Sequence, residues 1–203
     1  MNPLDALLAE ALSSVIKKNL GARTLKRIEK RLQEKYGYTM TMSIKNFHTL
    51  DATLREFFGP TADRIEKDFV NGIFGTDTKN GDMWITIQNK ELAELVLESF
   101  GNKEKRKILE YSFTNSTTLS KILKSCEIPK SSGYRLINEL IQRGLLVADS
   151  YVSDEGKEIS RYTSIFNGLD IHIKDNTIVV NCLFKKNFLK NSYIMKLVHN
   201  ENN

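Results

Sequence analysis

The residue types that usually carry enzyme chemistry are present in this chain but do not fall into a working arrangement. His48, His172 and His199 lie far apart, with no nucleophile or carboxylate pattern around them. No glycine-rich loop ends in Lys-Ser or Lys-Thr to cradle a phosphate, and there is no Gly-x-Ser-x-Gly elbow. His48 sits beside the apolar stripe of a helix and is expected to be packed or on the surface; His172 alternates onto the outer face of a strand and is expected to be solvated. Cys126 and Cys182 are too few for a disulfide framework, and no Cys-x-x-Cys or His-x-x-x-His spacing offers a metal site. Each cysteine is expected to be a small apolar core residue. The expectation is a protein that is not an enzyme and uses no cofactor and no metal.

A different chemistry is available between Thr117 and Phe166. Pro129 disfavours helical geometry at Ile128, so a helix opening at Thr117 or Thr118 must stop near Glu127, and a second must start between Pro129 and Ser131. On that second helix Gly133, Leu136, Ile137, Leu140 and Ile141 share one face. Ser131, Ser132, Tyr134, Arg135 and Asn138 fall on the other. Short hydroxyls at the start of a helix, followed by an arginine able to pair with guanine, are the types needed to read base edges in a DNA major groove about 12 Å wide. Lys121, Lys124, Lys130 and Arg143 around the two helices are placed to anchor phosphates, which sets affinity without sequence preference.

The elements that must hold this pair in place can be read on either side of it. Leu4, Leu7, Leu8, Ala11, Leu12, Val15 and Ile16 make the stripe of a helix over Pro3 to Asn19, ended by Gly21. A second helix from Arg23 to about Tyr36 carries Leu25, Ile28 and Leu32, with Gly37 as its stop. Ser43 is expected to open a third, Ile44 to Phe58, and a fourth follows Gly59-Pro60-Thr61 with Ile65, Phe69, Ile73 and Phe74. Gly75 to Asp82 reads as a loose linker, followed by a short strand at Met83 to Ile87. Two helical pieces, Glu91 to Phe100 and Lys103 to Phe113, precede the helix pair. After Gly144, Leu145 to Val152 is expected to pair with Glu158 to Phe166 across Ser153-Asp154-Glu155-Gly156, forming a wing whose Lys157 and Arg161 are further phosphate anchors. Leu169, Ile171 and Ile173, then Ile178, Val180, Cys182 and Phe184, flank Asp175-Asn176 as a second hairpin. Lys185 to Val198 reads as one closing helix, and the tail from Asn200 reads as loose.

With 203 residues and 40% apolar content the chain can bury a core, and its charge is dispersed among apolar residues, so it is expected to be globular. No apolar run approaches the ~20 residues of a membrane span, and the start lacks a signal-peptide order, so a cytoplasmic location without membrane attachment is expected. The net charge of +5 permits a polyanionic partner. Lys17 to Lys35 holds eight basic residues against Glu29 and Glu34; it is either a solvated face or a surface for a polyanion or an acidic partner.

Taken together, Phe100 to Leu109, the stretch Ile128-Pro129-Lys130-Ser131-Ser132-Gly133-Tyr134-Arg135, and the exit Glu139-Leu140-Ile141-Gln142-Arg143-Gly144-Leu145-Leu146 resemble the ArsR-like winged-helix transcription regulators. The resemblance covers roughly residues 92 to 166, and the whole-chain pattern looks like archaeal regulators that join such a domain to an N-terminal helical one. It implies that Ser131, Ser132, Tyr134 and Arg135 face the major groove. Two departures stand out: Gly133 replaces a branched apolar residue, which suggests close packing or a soft helix start, and the family's metal-sensing cysteine pairs are missing. The expected fold is α+β, mainly α, with a helical bundle at 1–75, a linker and short strand at 76–90, a winged helix-turn-helix domain at 91–166, and a β-hairpin and helix at 167–203. The expected function is sequence-specific transcriptional regulation by a homodimer on double-stranded DNA, with a protein partner for the N-terminal bundle as a further expectation. The alternative is an adaptor whose winged helix binds a protein of the transcription or replication machinery.

Overall fold

Asn2 starts the first helix, its side chain accepting the Leu4 N–H at 2.8 Å. The computed structural model describes residues 2–79, 82–154, 157–174 and 177–199. These form an α+β, mainly helical protein that divides into two compact units. Unit 1 comprises Met1–Thr76, Ile87–Leu92 and Lys186–Asn203; unit 2 comprises Asp77–Thr86 and Ala93–Lys185. Among the described residues no helix is long and apolar enough to cross a membrane.

Unit 1 is built on α1 (Pro3–Asn19), whose apolar stripe from Leu4 to Ile16 is buried throughout. Helix α2 (Ala22–Tyr36) buries only Ile28 and Leu32 and ends at Gly37, whose φ of 70° lets its N–H close on the Gln33 carbonyl. The expected third helix is instead two, α3 (Met40–Lys45), capped by Thr39, and α4 (Phe47–Phe58). Asn46 at φ −116°, ψ 63° cannot continue a helix, and its carbonyl turns to accept from the N–H and hydroxyl of Thr49. A 3₁₀ turn, Gly59–Thr61, leads to α5 (Ala62–Asn71). Helix α1 packs on α3 and α5, and α2 on α4, where Glu56 accepts from both Arg31 and Lys35.

The stretch expected to be a loose linker contains strand β1 (Phe74–Lys79), because backbone pairing with β2 (Asp82–Ile87) supplies the order that its polar side chains do not signal. The expected closing helix is also two, α10 (Lys186–Asn191) and α11 (Tyr193–His199). Between them Ser192 accepts the Met195 N–H at 3.1 Å, opening α11, and donates its hydroxyl to Asp5 of α1. Asp5 also accepts the Tyr193 N–H at 3.2 Å. This buried carboxylate, beside the apolar stripe of α1, holds the start of α11. The Asn200 tail lies outside the described residues.

Unit 2 contains α6 (Lys90–Gly101, from Ala93 onward), α7 (Lys103–Thr114), α8 (Leu119–Ser125), α9 (Lys130–Gln142) and four further strands, β3 (Leu146–Asp154), β4 (Lys157–Ser164), β5 (Phe166–Lys174) and β6 (Thr177–Phe184). One sheet has the order β1-β2-β6-β5; the other is the antiparallel pair β3-β4. Ile173 faces Ile178 and Leu169 faces Cys182 across β5 and β6, the register that the alternating pattern dictates, although the Asp175-Asn176 turn lies outside the described residues. Val180, Cys182 and Phe184 are buried, whereas Ile173 is exposed. Cys126 is buried too, and its thiol donates to the Lys107 carbonyl; burial pushes both cysteine thiols up. His48 and His172 are exposed.

Because the Ser192 hydroxyl and the Tyr193 N–H lose their acceptor in Asp5→Ala, that substitution should lower stability by about 1–3 kcal/mol, more than Asp5→Asn, which keeps one acceptor oxygen. Thermal unfolding of the two variants beside the parent measures this; equal stability of all three would show that the α1–α11 link carries nothing.

Candidate nucleic-acid interface

Helix α8 ends at Cys126, and Glu127 takes a left-handed φ of 56°, so that the Ile128 N–H returns to the Leu123 carbonyl at 3.0 Å. Pro129 stands at the N-cap position of α9. Thr118 holds the matching position before α8 without a capping bond from its side chain. The approach of the two helices is set by Gly133. A Cβ there would lie 3.0 Å from Leu123 Cδ1 and 3.1 Å from Ile128 Cγ2, and closer still to Leu123 Cδ2. A branched residue at this position has no room, so the glycine belongs to close packing rather than to a soft helix start.

With Gly133, Leu136, Ile137 and Leu140 buried, the 3.6-residue period turns Ser131, Tyr134, Arg135 and Asn138 outward, and all four are exposed. Ser132 is half-buried, its hydroxyl donating to the Pro129 carbonyl at 3.3 Å, so it is drawn back onto the turn. Lys121, Lys124 and Lys130 are exposed and line one shallow depression with Ser120, Leu123 and Ile128. From Leu119 to Asn138 the sequence holds four basic residues and one acid, Glu127. Among the described residues, Lys121, Lys124, Lys130 and Arg135 make no ion pair.

Two expected phosphate anchors are occupied otherwise. Arg143 pairs with Glu98 at 2.8 Å and Glu139 at 3.1 Å, while the buried Lys105 reaches Glu139 at 2.6 Å. This four-residue network ties α6, α7 and α9. Arg143 holds the Glu98 carboxyl below its usual range, and Lys105 does the same for Glu139. Arg161 of β4 turns its guanidinium onto the Ser116 carbonyl, with Nε at 2.8 Å. Beside it Thr117 and Tyr162 exchange backbone hydrogen bonds, so the β3–β4 hairpin is fastened to the segment before α8. Lys157 begins β4, but its side chain and the Glu155-Gly156 tip lie outside the described residues. A shift in register between Ala148 and Ser150 bulges β3.

Sequence reasoning missed Lys105 and Arg161 as structural cations. Their partners lie 34 and 45 residues away along the chain, beyond any local pattern. Comparison of the chain with protein-family models, with curated proteins and with solved structures found no match.

Two outcomes follow for this region. Gly133→Ala gains about 1 kcal/mol of helix propensity but should be destabilised overall, since overpacking costs about 1–3 kcal/mol, and shortening Leu123 to Ala in the same chain should recover part of the loss. A double-mutant cycle in denaturant with no coupling between the two positions would refute the close approach. The acid limb behaves differently. Glu98 and Glu139 have lowered folded-state values, so their contribution is present above the ordinary carboxylate range and disappears as pH falls through those values. Stability measured from about pH 5 to pH 3 should therefore fall less steeply in Glu139→Gln than in the parent.

Proposed function

We propose that the chain is a sequence-specific DNA-binding transcriptional regulator with a winged helix-turn-helix reading head, akin to the ArsR-like regulators, and that α9 enters the major groove. The observation that carries this reading is the outward face of α9: Ser131, Tyr134, Arg135 and Asn138 stand exposed, and Arg135 makes no ion pair among the described residues, although Arg143 at the C-cap of the same helix makes two. An arginine left unpaired in this way retains its planar donor fork for the O6 and N7 acceptors of guanine. Lys121, Lys124 and Lys130 flank that face and supply phosphate contacts, each lowering the slope of log affinity against log salt by about 0.9. The β3–β4 hairpin follows α9 directly and is the wing, with Lys157 as its candidate backbone contact. Arg161 is reassigned from phosphate binding to holding the wing against Ser116.

Operators with two half-sites require a two-fold protein, so the reading includes a homodimer. Strand β5 lies at the edge of its sheet, and Ile173 and Ile178 are exposed at the end of that hairpin, which offers apolar surface for pairing.

The test is selection from a random duplex library, followed by titration of the preferred duplex at several salt concentrations. Arg135→Ala should melt like the parent, lose about 1–3 kcal/mol on the preferred duplex, and relax preference at one base pair. Lys121→Ala should weaken all duplexes alike and flatten the salt slope by about one unit. An Arg135→Ala protein that melts normally and binds every duplex as the parent does would move the assignment to an adaptor with a protein partner.

A further inference from the structure

Away from the α8–α9 region, unit 1 carries three carboxylates gathered at one point. Asp51 comes from α4, and Asp63 and Glu66, three residues apart, come from α5; each offers an oxygen within 4.8 Å of the others. Glu66 is only 1% exposed, and neither of its carboxylate oxygens has a hydrogen-bond donor among the described residues. Such a group is costly: a buried carboxylate without a partner loses several kcal/mol of hydration, so it must be neutralised or satisfied by something. Arg55 does not do this. Its guanidinium donates to one oxygen of Asp51, at 2.7 Å, and to one oxygen of Asp63, leaving the second oxygen of each and both of Glu66. When ionised, three carboxylates against one guanidinium carry an excess of two negative charges, which a divalent cation would balance.

We propose that Asp51, Asp63 and Glu66 form a binding site for a divalent cation that takes oxygen ligands, of the magnesium, manganese or calcium kind. Two ligands held about 2.0–2.6 Å from one ion can be no more than about 5 Å apart, which the observed spacing satisfies. The donor set contains no sulfur or imidazole, which selects hard cations over zinc or copper. Entry is open from one side, since the side chain of Asp51 is 13% exposed and that of Asp63 is 59% exposed. The bound ion would clamp α4 to α5. The groups facing the site are Asp51 and Arg55 from α4, Asp63 and Glu66 from α5, and Tyr193 from α11.

The intact protein, titrated with Mn²⁺ and followed by the loss of the free-ion electron paramagnetic resonance signal, should bind one ion per chain, with Mg²⁺ or Ca²⁺ competing. Losing a ligand should cost at least the roughly tenfold in affinity that losing a ligand's own hydrogen-bond partner costs. Glu66→Gln and Asp63→Asn, the second on the exposed side where folding is least affected, should each show this loss, and Mn²⁺ should raise the melting temperature of the parent but of neither variant. Mn²⁺ binding unchanged in both variants, or no binding by the parent, would overturn the site.

Discussion

Leu123 lies against the bare Cα of Gly133, and the placement of α9 follows from that contact. Helix α8 is seven residues long and buries only Ile122 and Leu123, so it has little surface with which to seat a partner. Close approach compensates. It lets Leu136, Ile137 and Leu140 reach the core, and a helix so anchored has no rotational freedom left for its opposite side. The left-handed turns at Glu127 and Gly144 fix where the chain enters and leaves this packing. An exposed face is thus a by-product of a buried one.

Seven cations of unit 2 fall into two groups by geometry rather than by residue type. Lys105, Arg143 and Arg161 are held by Glu139, Glu98 and the Ser116 carbonyl, and serve to join helices or to fasten the hairpin. Removing one of these leaves a partner uncompensated, so its loss would be felt in folding. Lys121, Lys124, Lys130 and Arg135 stand clear of the described acids, and in water an isolated exposed cation contributes little to stability. Of these seven, only the second group has its charge available to an outside anion.

What was legible in the sequence is what local periodicity encodes. The stripe of α1, the paired register of β5 and β6, and the Ile128-Pro129 break each depend on residues close together in the chain, where spacing and backbone preference act directly. Gly133 was visible as an anomaly, but only the neighbouring Leu123 and Ile128 decide why it is there. The division of Ile44 to Phe58 at Asn46, the strand at Phe74–Lys79 and the break at Ser192 were not legible, because each is decided by a partner from elsewhere or by a single residue's dihedral angles. Asp5, Arg161 and Glu66 were missed for a related reason. A charged residue in a helical or strand pattern reads as surface until its long-range neighbours are known.

The layout of the units also bears on synthesis. Unit 2 is continuous from Ala93 to Lys185 apart from the strand segment 77–86, whereas unit 1 is assembled from pieces on both sides of it. Asp5 waits for Ser192 and Tyr193, and Phe47 stacks on the Tyr193 ring at 5.0 Å between centroids, so these native contacts become available only after the whole of unit 2 has left the ribosome. During translation the order of completion is therefore inverted relative to the order of the chain: the first helices made are among the last to be closed over, and α1 must pass that interval with part of its apolar stripe still uncovered.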